Sequence, residues 1–250
     1  MKLMKNSILY LMFVILSIFS CSKDASPSGN IGQGGSLARF SIIGNNLYVI
    51  SGPNLKTFSL TDPLNPELMD EQRVAFDIET LFPLGEFLLI GGQSGMHIFS
   101  RDAAGRPEYI SAYQHVQACD PVVANDTVAF VTLRTVEGCR FTETNQLEVL
   151  DIRDKENPQL IKAYTDFENP AGLALDGNLL FICDLENGFF ILDVKNPADV
   201  KILHHIEGVN VHDAIARNGL LLLVGPKKLH QWDYSNPAAP RLLSTLVVPD

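Results

Sequence analysis

The sequence predicts an all-β protein built from about five copies of one four-stranded unit. A short polar turn followed by an apolar run recurs five times, and the runs are short and rich in β-branched and aromatic residues. No segment keeps the period of an amphipathic helix. Four strands in every 40 or so residues is typical of propeller blades, so the predicted fold is β-propeller-like, with five blades of ~41 residues.

The turns set the period of the repeat. With Asn45, Gly85, Asp126, Gly177 and Gly219 taken as equivalent, the spacings are 40, 41, 51 and 42 residues. Asn-Gly and Asp-Gly between apolar runs indicate tight hairpins, because both central residues must tolerate a positive φ. The apolar runs do not alternate with polar residues, which favours small sheets covered on both faces by their neighbours.

A second signal recurs in the same frame: an apolar strand ends in Asp, and a Pro-rich turn follows. The segments are LEVLDIRDKENP, FFILDVKNP and LHQWDYSNPAAP, with degraded copies LKTFSLTDPLNP and MHIFSRDAAGRP. Proline presets φ and cannot continue a paired strand, so each copy marks the end of a strand.

These motifs resemble the repeats of the LVIVD-repeat family, known mainly from bacterial cell-surface and secreted proteins. The resemblance rests on residues 149–152, 191–194 and 232–234 and covers residues 37–250. The stretch CDPVVANDTVAFVTLR, which begins at Cys119, and the later NQLEVLDI are similar to lipoproteins of this family from the Bacteroidota. The resemblance implies a β-propeller-like fold and no shared enzymatic activity, and the first two repeats lack the Asp of the motif.

Residues 1–20 predict an export signal. Lys2 and Lys5 precede an apolar core of 12 residues, which is shorter than the about 20 needed to span a bilayer. Cys21 follows a small residue at the end of this core, so the segment resembles a lipoprotein box in which cleavage frees Cys21 for acylation. A lipid there would anchor the protein without spanning the membrane. The predicted location is the cell envelope, as an outer-membrane lipoprotein, periplasmic or surface-exposed; the alternative is a plain signal with an incidental Cys.

Residues 21–36 are rich in Ser, Gly and Pro and predict a flexible tether, followed by one propeller domain at residues 37–250. Without Lys2 and Lys5 the chain has 17 basic and 29 acidic residues, a net charge of −12. This charge disfavours nucleic acid and anionic lipid head groups as partners.

The third repeat carries an insertion of about ten residues that contains Cys139. Cys119 opens the first strand of the same repeat, and in a four-strand meander both positions lie at one end of the sheet. Because export permits disulfides, we predict a Cys119–Cys139 bridge. Cys183 is a rival partner; the preferred interpretation is that it is a buried small apolar residue.

Closure of the ring is predicted without an exchanged strand. The chain begins with a first strand and ends with a fourth, so the first and fifth blades would meet only by side-chain packing. An open array would expose sheet faces at both ends, which favours a closed five-bladed ring over an uneven or six-bladed one.

The candidate site is the mouth of the central channel. The innermost strands line such a channel, and their first residues include Arg39, Glu79, Asp120 and Asp213, with His212 one position earlier. A concave mouth on which polar groups converge is the default ligand site, and this one would gather three carboxylates, an Arg and a His. Carboxylates together with backbone carbonyls are suitable ligands for Ca²⁺.

Three interpretations of this mouth remain open. It could bind a metal or a sugar, it could hydrolyse glycosides with Glu79, Asp120 and Asp213, or its charges could be solvated and paired. The chain is small and only one loop is elaborated, which favours a binding or scaffold module for an envelope protein or glycan over an enzyme.

Overall fold

The computed structural model describes residues 34–76, 78–114, 121–135 and 145–249. These residues form strands and turns, and no helix among them has the length and apolarity that crossing a bilayer requires. The described strands, in chain order, are β1 (Phe40–Ile43), β2 (Asn46–Ser51), β3 (Asn54–Ser59), β4 (Glu67–Arg73), β5 (Ile78–Leu84), β6 (Phe87–Gly92), β7 (Gly95–Arg101), β8 (Pro107–Gln114), β9 (Val122–Ala124), β10 (Val128–Leu133), β11 (Gln146–Asp151), β12 (Gln159–Tyr164), β13 (Leu173–Asp176), β14 (Leu179–Cys183), β15 (Phe189–Asp193), β16 (Lys201–Ile206), β17 (Asp213–Arg217), β18 (Leu220–Val224), β19 (Lys228–Asp233) and β20 (Arg241–Val247).

The strands form five antiparallel sheets, each built from four consecutive strands in simple meander order. We name them blades 1 to 5, comprising β1–β4, β5–β8, β9–β12, β13–β16 and β17–β20. The predicted all-β fold of repeated four-stranded units is therefore confirmed.

The first hairpin of each blade corrects the frame taken from the sequence. The residue pairs that close these hairpins show that the first turn residues are Gly44, Gly85, Asp126, Gly177 and Asn218. The frame was thus wrong by one residue in blades 1 and 5, and the corrected spacing is 41 residues except across the third blade. Four of these five residues have a positive φ, which explains the preference for Gly and Asn.

The Asp of the LVIVD-like motif closes the turn that follows the third strand of a blade. Asp193 Oδ1 accepts a hydrogen bond from Lys195 N–H at 2.9 Å, and Asp151 and Asp233 accept from the residue two positions later in the same way. In blade 1 the hydroxyl of Ser59 takes over this role and accepts from Thr61 N–H at 3.2 Å. The motif Asp is therefore a turn residue.

A second side-chain cap follows in every blade. A carboxylate or amide oxygen at the next turn accepts a hydrogen bond from the backbone N–H two residues later. The capping residues are Asp62, Asp102, Asp154, Asn196 and Asn236. Because all five blades keep this cap, the degraded repeats retain the local geometry of the intact ones.

The blades are held together by apolar side chains between consecutive sheets. Within the described ranges, four buried clusters join blade 1 to 2, blade 2 to 3, blade 3 to 4 and blade 4 to 5. In blade 4, Leu180 packs toward blade 3 while Phe181 packs toward blade 5. Both faces of an interior sheet are therefore buried, which is why its strands do not alternate between apolar and polar residues.

The predicted core residue Cys183 and two aromatic side chains occupy these interfaces. Cys183 is a free thiol in the cluster between blades 4 and 5, where burial raises its pKa, so its predicted role as a small apolar residue is confirmed. Trp232 stacks edge-on against Phe189 at 5.2 Å between ring centroids. The hydroxyl of Tyr234, in turn, donates to Asp176 of the preceding blade.

Replacing Asp193 with Ala should destabilise the domain by about 1 kcal/mol, because the Lys195 N–H loses its acceptor in the turn. The free energy of unfolding in urea measures this loss. Asp193→Asn keeps the acceptor oxygen, so its free energy of unfolding should equal that of the wild type. If both variants lose the same free energy of unfolding, the stabilisation comes from the charge of Asp193 and not from its hydrogen bond.

Candidate functional site

The corrected frame divides the predicted mouth residues between two positions. Arg39, directly before β1, and Asp213, the first residue of β17, hold the position that Gly172 holds in blade 4, whereas His212 lies one residue earlier. Glu79 is the extra residue of a β-bulge, because Ile78 pairs with Gly92 and Thr80 with Gly91. The five residues therefore do not form one equivalent ring, and a bulge re-aims the side chain that it carries.

Asp213 is held by the segment that precedes β1. Ser36 is buried; its hydroxyl donates to Asp213 Oδ1 at 3.2 Å and accepts from Leu173 N–H at 2.7 Å. The N–H groups of Ala214 and Leu37 also bind the Asp213 carboxylate. A residue that the sequence assigned to the tether thus joins the inner strands of blades 4 and 5.

Two glycines allow this close approach. A Cβ added to Gly35 would lie 1.9 Å from Asp213 Oδ2, and one added to Gly172 would lie 2.5 Å from Asp213 Oδ1. Side chains at either position would displace the carboxylate. The signal in the sequence was the Gly-Gly-Ser run at residues 34–36, shortly before β1, whose composition favours a flexible linker when no contact is known.

The other described mouth residues have local partners. Glu79 Oε1 accepts a hydrogen bond from Gln93 at 3.3 Å, and its charge counteracts the lowering of the Arg134 pKa that burial causes. The Arg39 side chain is exposed, and its carbonyl accepts from Ile50 N–H at 2.8 Å. His212 contributes backbone groups, its carbonyl accepting from Gly172 N–H at 2.9 Å.

Several predicted residues lie outside the described part of the chain. These are Cys21 of the predicted lipidation site, Cys119 and Cys139 of the predicted disulfide, and Asp120 of the predicted mouth. Within residues 34–76, 78–114, 121–135 and 145–249, no group of three or more His, Cys, Asp or Glu side chains could hold a metal ion. The Ca²⁺ hypothesis, which included Asp120, stays a prediction.

A cavity of about 340 Å³ lies at the end of blade 5 where β17 begins. Its walls are the loop Gly208–Asn210, which leads into β17, and the turn Pro226–Lys228 between β18 and β19. His230 lines it as well, and the residue is 6% exposed. Its lining therefore combines two Lys side chains, an imidazole and an Asn amide in a strongly acidic chain.

The His230 ring in the cavity is oriented by a hydrogen bond. His230 Nδ1 is 3.0 Å from the Thr245 hydroxyl, which leaves Nε2 as the ring nitrogen that a ligand could use. Burial and, to a smaller degree, the charge of Lys228 lower the pKa of His230, so it is neutral at pH 7. Lys228 and His230 are two residues apart on β19 and share one sheet face. The dibasic pair in GPKKL was the only signal of this site in the sequence.

Five four-stranded meander sheets in chain order make the fold β-propeller-like. Residues 170–204, which cover most of blade 4, match the model of the LVIVD repeat, so the resemblance predicted from the sequence is confirmed for this unit. No curated protein sequence matches the chain significantly.

Solved structures of propeller-like proteins are similar to the chain. A protein from Lactobacillus plantarum has 12% identity and a TM-score of 0.67, over 82% of this chain and 69% of that one. A hypothetical selenium-binding protein from Sulfolobus tokodaii has 12% identity and a TM-score of 0.61, over 82% of this chain and 59% of that one. A luciferin-regenerating enzyme has 13% identity and a TM-score of 0.54, over 89% of this chain and 78% of that one. At these identities the likeness concerns the fold alone.

Asp213 should make the free energy of unfolding depend on pH. Burial raises its pKa above the ordinary value of about 3.9, so the folded state holds the proton more tightly than the unfolded state. The stabilisation of wild type relative to Asp213→Asn should be complete below pH ~3.9 and lost as pH rises through the raised pKa. Urea unfolding of both proteins across this range measures the difference. A difference that grows with pH would contradict the assignment.

Proposed function

We propose that the protein is a propeller-type binding module of the cell envelope, held at a membrane by a lipid on Cys21, whose ligand is an acidic glycan. The observation that carries the ligand class is the cationic cavity at the end of blade 5. The LVIVD match and the propeller-like structures support a binding or scaffold role. Export and anchoring are supported by the sequence of residues 1–21.

The chemistry of the cavity suits a carboxylate. Lys228 lines the cavity and can supply a positive charge, while His230 Nε2 and the Asn210 amide oxygen can bind neighbouring hydroxyls. The Asn210 amide nitrogen already donates to Glu186 Oε1 at 3.5 Å. A uronic acid presents one carboxylate and several hydroxyls on a ring. The cavity volume of about 340 Å³ is at the lower end of the range for small-molecule sites.

A glycoside hydrolase using Glu79, Asp120 and Asp213 is the second candidate. A luciferin-regenerating enzyme shares the fold, so the fold is compatible with catalysis. Against this hypothesis, the Asp213 carboxylate is already engaged by Ser36 and the backbone, so it is poorly placed as a nucleophile or base. Release of reducing sugar from uronate oligomers, measured in the binding samples, would favour the enzyme.

Binding of a uronate oligomer should depend on Lys228. Removing a charged donor to a carboxylate costs about 1.5–3 kcal/mol, so Lys228→Ala should weaken binding about 10-fold or more, and Lys228→Glu further. Isothermal titration calorimetry of the full chain measures the dissociation constant, and binding should weaken with added salt.

Lys195→Ala is the matched control, since Lys195 is exposed and lies in a turn that does not line the cavity. It should bind uronate as tightly as the wild type. Equal affinity for the neutral sugar oligomer, or equal losses in the Lys195 and Lys228 variants, would contradict a carboxylate site in this cavity.

A further inference from the structure

The two terminal blades expose positions that the interior blades bury. Phe40 on β1 occupies the position of Leu81, Val122, Leu173 and Ala214 in the other blades. Phe40 is 61% exposed, whereas these four residues are between 0 and 2% exposed. At the interior positions the side chain packs against the preceding blade, so the exposure of Phe40 marks a face that no described residue of the chain covers.

The side of blade 1 that points away from blade 2 is apolar and at least partly exposed across all four strands. Two rows of side chains cross it from β1 to β4, and the apolar members are Phe40, Val49, Ile42, Leu47, Phe58 and Leu68. Phe40, Ile42 and Leu68 are exposed and the others are half-buried. We call this set the blade 1 face.

Blade 5 has the complementary face. Val224, Leu229 and Leu246 lie side by side across β18, β19 and β20. In blade 4 the same row is Cys183, Phe189 and Ile206, which packs against blade 5. Leu246 is 61% exposed. The set of Val224, Leu229, Leu246, Ile215, Leu220 and Leu222 is the blade 5 face.

Two ion pairs lie on these faces. Lys56 is 3.4 Å from Glu71 on blade 1, and Arg241 is 3.2 Å from Asp233 on blade 5. Each pair partly compensates its own charges when the face is buried. A contiguous exposed apolar surface of this kind is typical of a protein interface.

The interfaces between consecutive blades show which surface packs against a face of the blade 1 type. In all four described interfaces, a face of the blade 1 type packs against a face of the blade 5 type from the preceding blade. Both terminal faces are exposed among the described residues, which therefore do not show the predicted closure of the ring by packing of the first blade against the fifth. The segment at Ser36 ties β1 to blades 4 and 5 in this arrangement.

We propose that the blade 1 face of one molecule binds the blade 5 face of a second copy, in the geometry of an interior interface. Such head-to-tail contact uses two different surfaces, so two copies can close into a ring or further copies can extend the array. The inference goes beyond ligand binding at the cavity, which lies at the loop end of blade 5 and not on this face.

Complementing variants of the full chain test the proposal. Phe40→Glu removes the blade 1 face and Leu246→Glu removes the blade 5 face. Sedimentation velocity should show association of the wild type that increases with concentration, and monomers for each variant alone. An equimolar mixture should form a 1:1 dimer, because each variant supplies the face that the other lacks. Leu64→Glu is the control, since Leu64 is 88% exposed in a turn outside both faces.

The outcomes separate the alternatives. Unchanged association of both single variants would overturn the proposal and assign association to another surface. A monomeric wild type at all concentrations would also overturn it and favour a ring closed within one chain. Far-ultraviolet circular dichroism and urea unfolding of each variant establish that it is folded, and a mixture that stays monomeric with both variants folded contradicts the head-to-tail contact.

Discussion

The structure depends on one constraint: each small sheet is apolar on both faces, so each face must be covered by another sheet. Val, Leu, Ile and Phe on neighbouring strand positions point to opposite sides and leave no polar face for solvent. Stacking the sheets in chain order covers the facing sides of consecutive blades with short connections and leaves the blade 1 face and the blade 5 face exposed. The buried clusters between consecutive blades are the main source of stability, and hydrogen bonds across them, such as that from Tyr48 to Gly105, fix the orientation of one blade on the next.

Turn chemistry determines where each sheet ends. The side-chain caps at Asp193 and Asn196, and their counterparts in other blades, satisfy backbone N–H groups at the end of the molecule where third strands finish. The opposite end carries loops in which the described repeats differ, including those that form the cavity at Lys228. The repeated part of the sequence therefore encodes the scaffold, and the differences between repeats carry the candidate binding chemistry.

The sequence predicted the fold because its signals are local. A turn needs Gly or Asn with a positive φ, and a strand end needs an acceptor such as Asp193, so both recur visibly. The exact alignment of the repeats was harder to predict from the sequence. Gly44-Asn45-Asn46 allows two positions for the first turn residue, and only the strand pairing distinguishes them.

The site was less predictable, because it joins residues distant in sequence. Ser36 donates a hydrogen bond to Asp213 from a segment whose composition indicates a tether. Glu79 is the extra residue of a β-bulge, which changes the direction of its side chain. The cavity arises where the loop before β17 meets the β18–β19 turn, and neither segment has a binding motif of its own.

The most direct test compares two leucines that hold the same repeat position. Leu180 in blade 4 is fully buried against blade 3, while Leu47 in blade 1 is half-buried on a face without a neighbour. In dilute solution, where the chain is monomeric, Leu180→Ala should lower the free energy of unfolding by about 2–5 kcal/mol, and Leu47→Ala should lower it much less. Equal losses would mean that blade 1 is covered on both sides, and would contradict the assignment of the blade 1 face as an exposed surface.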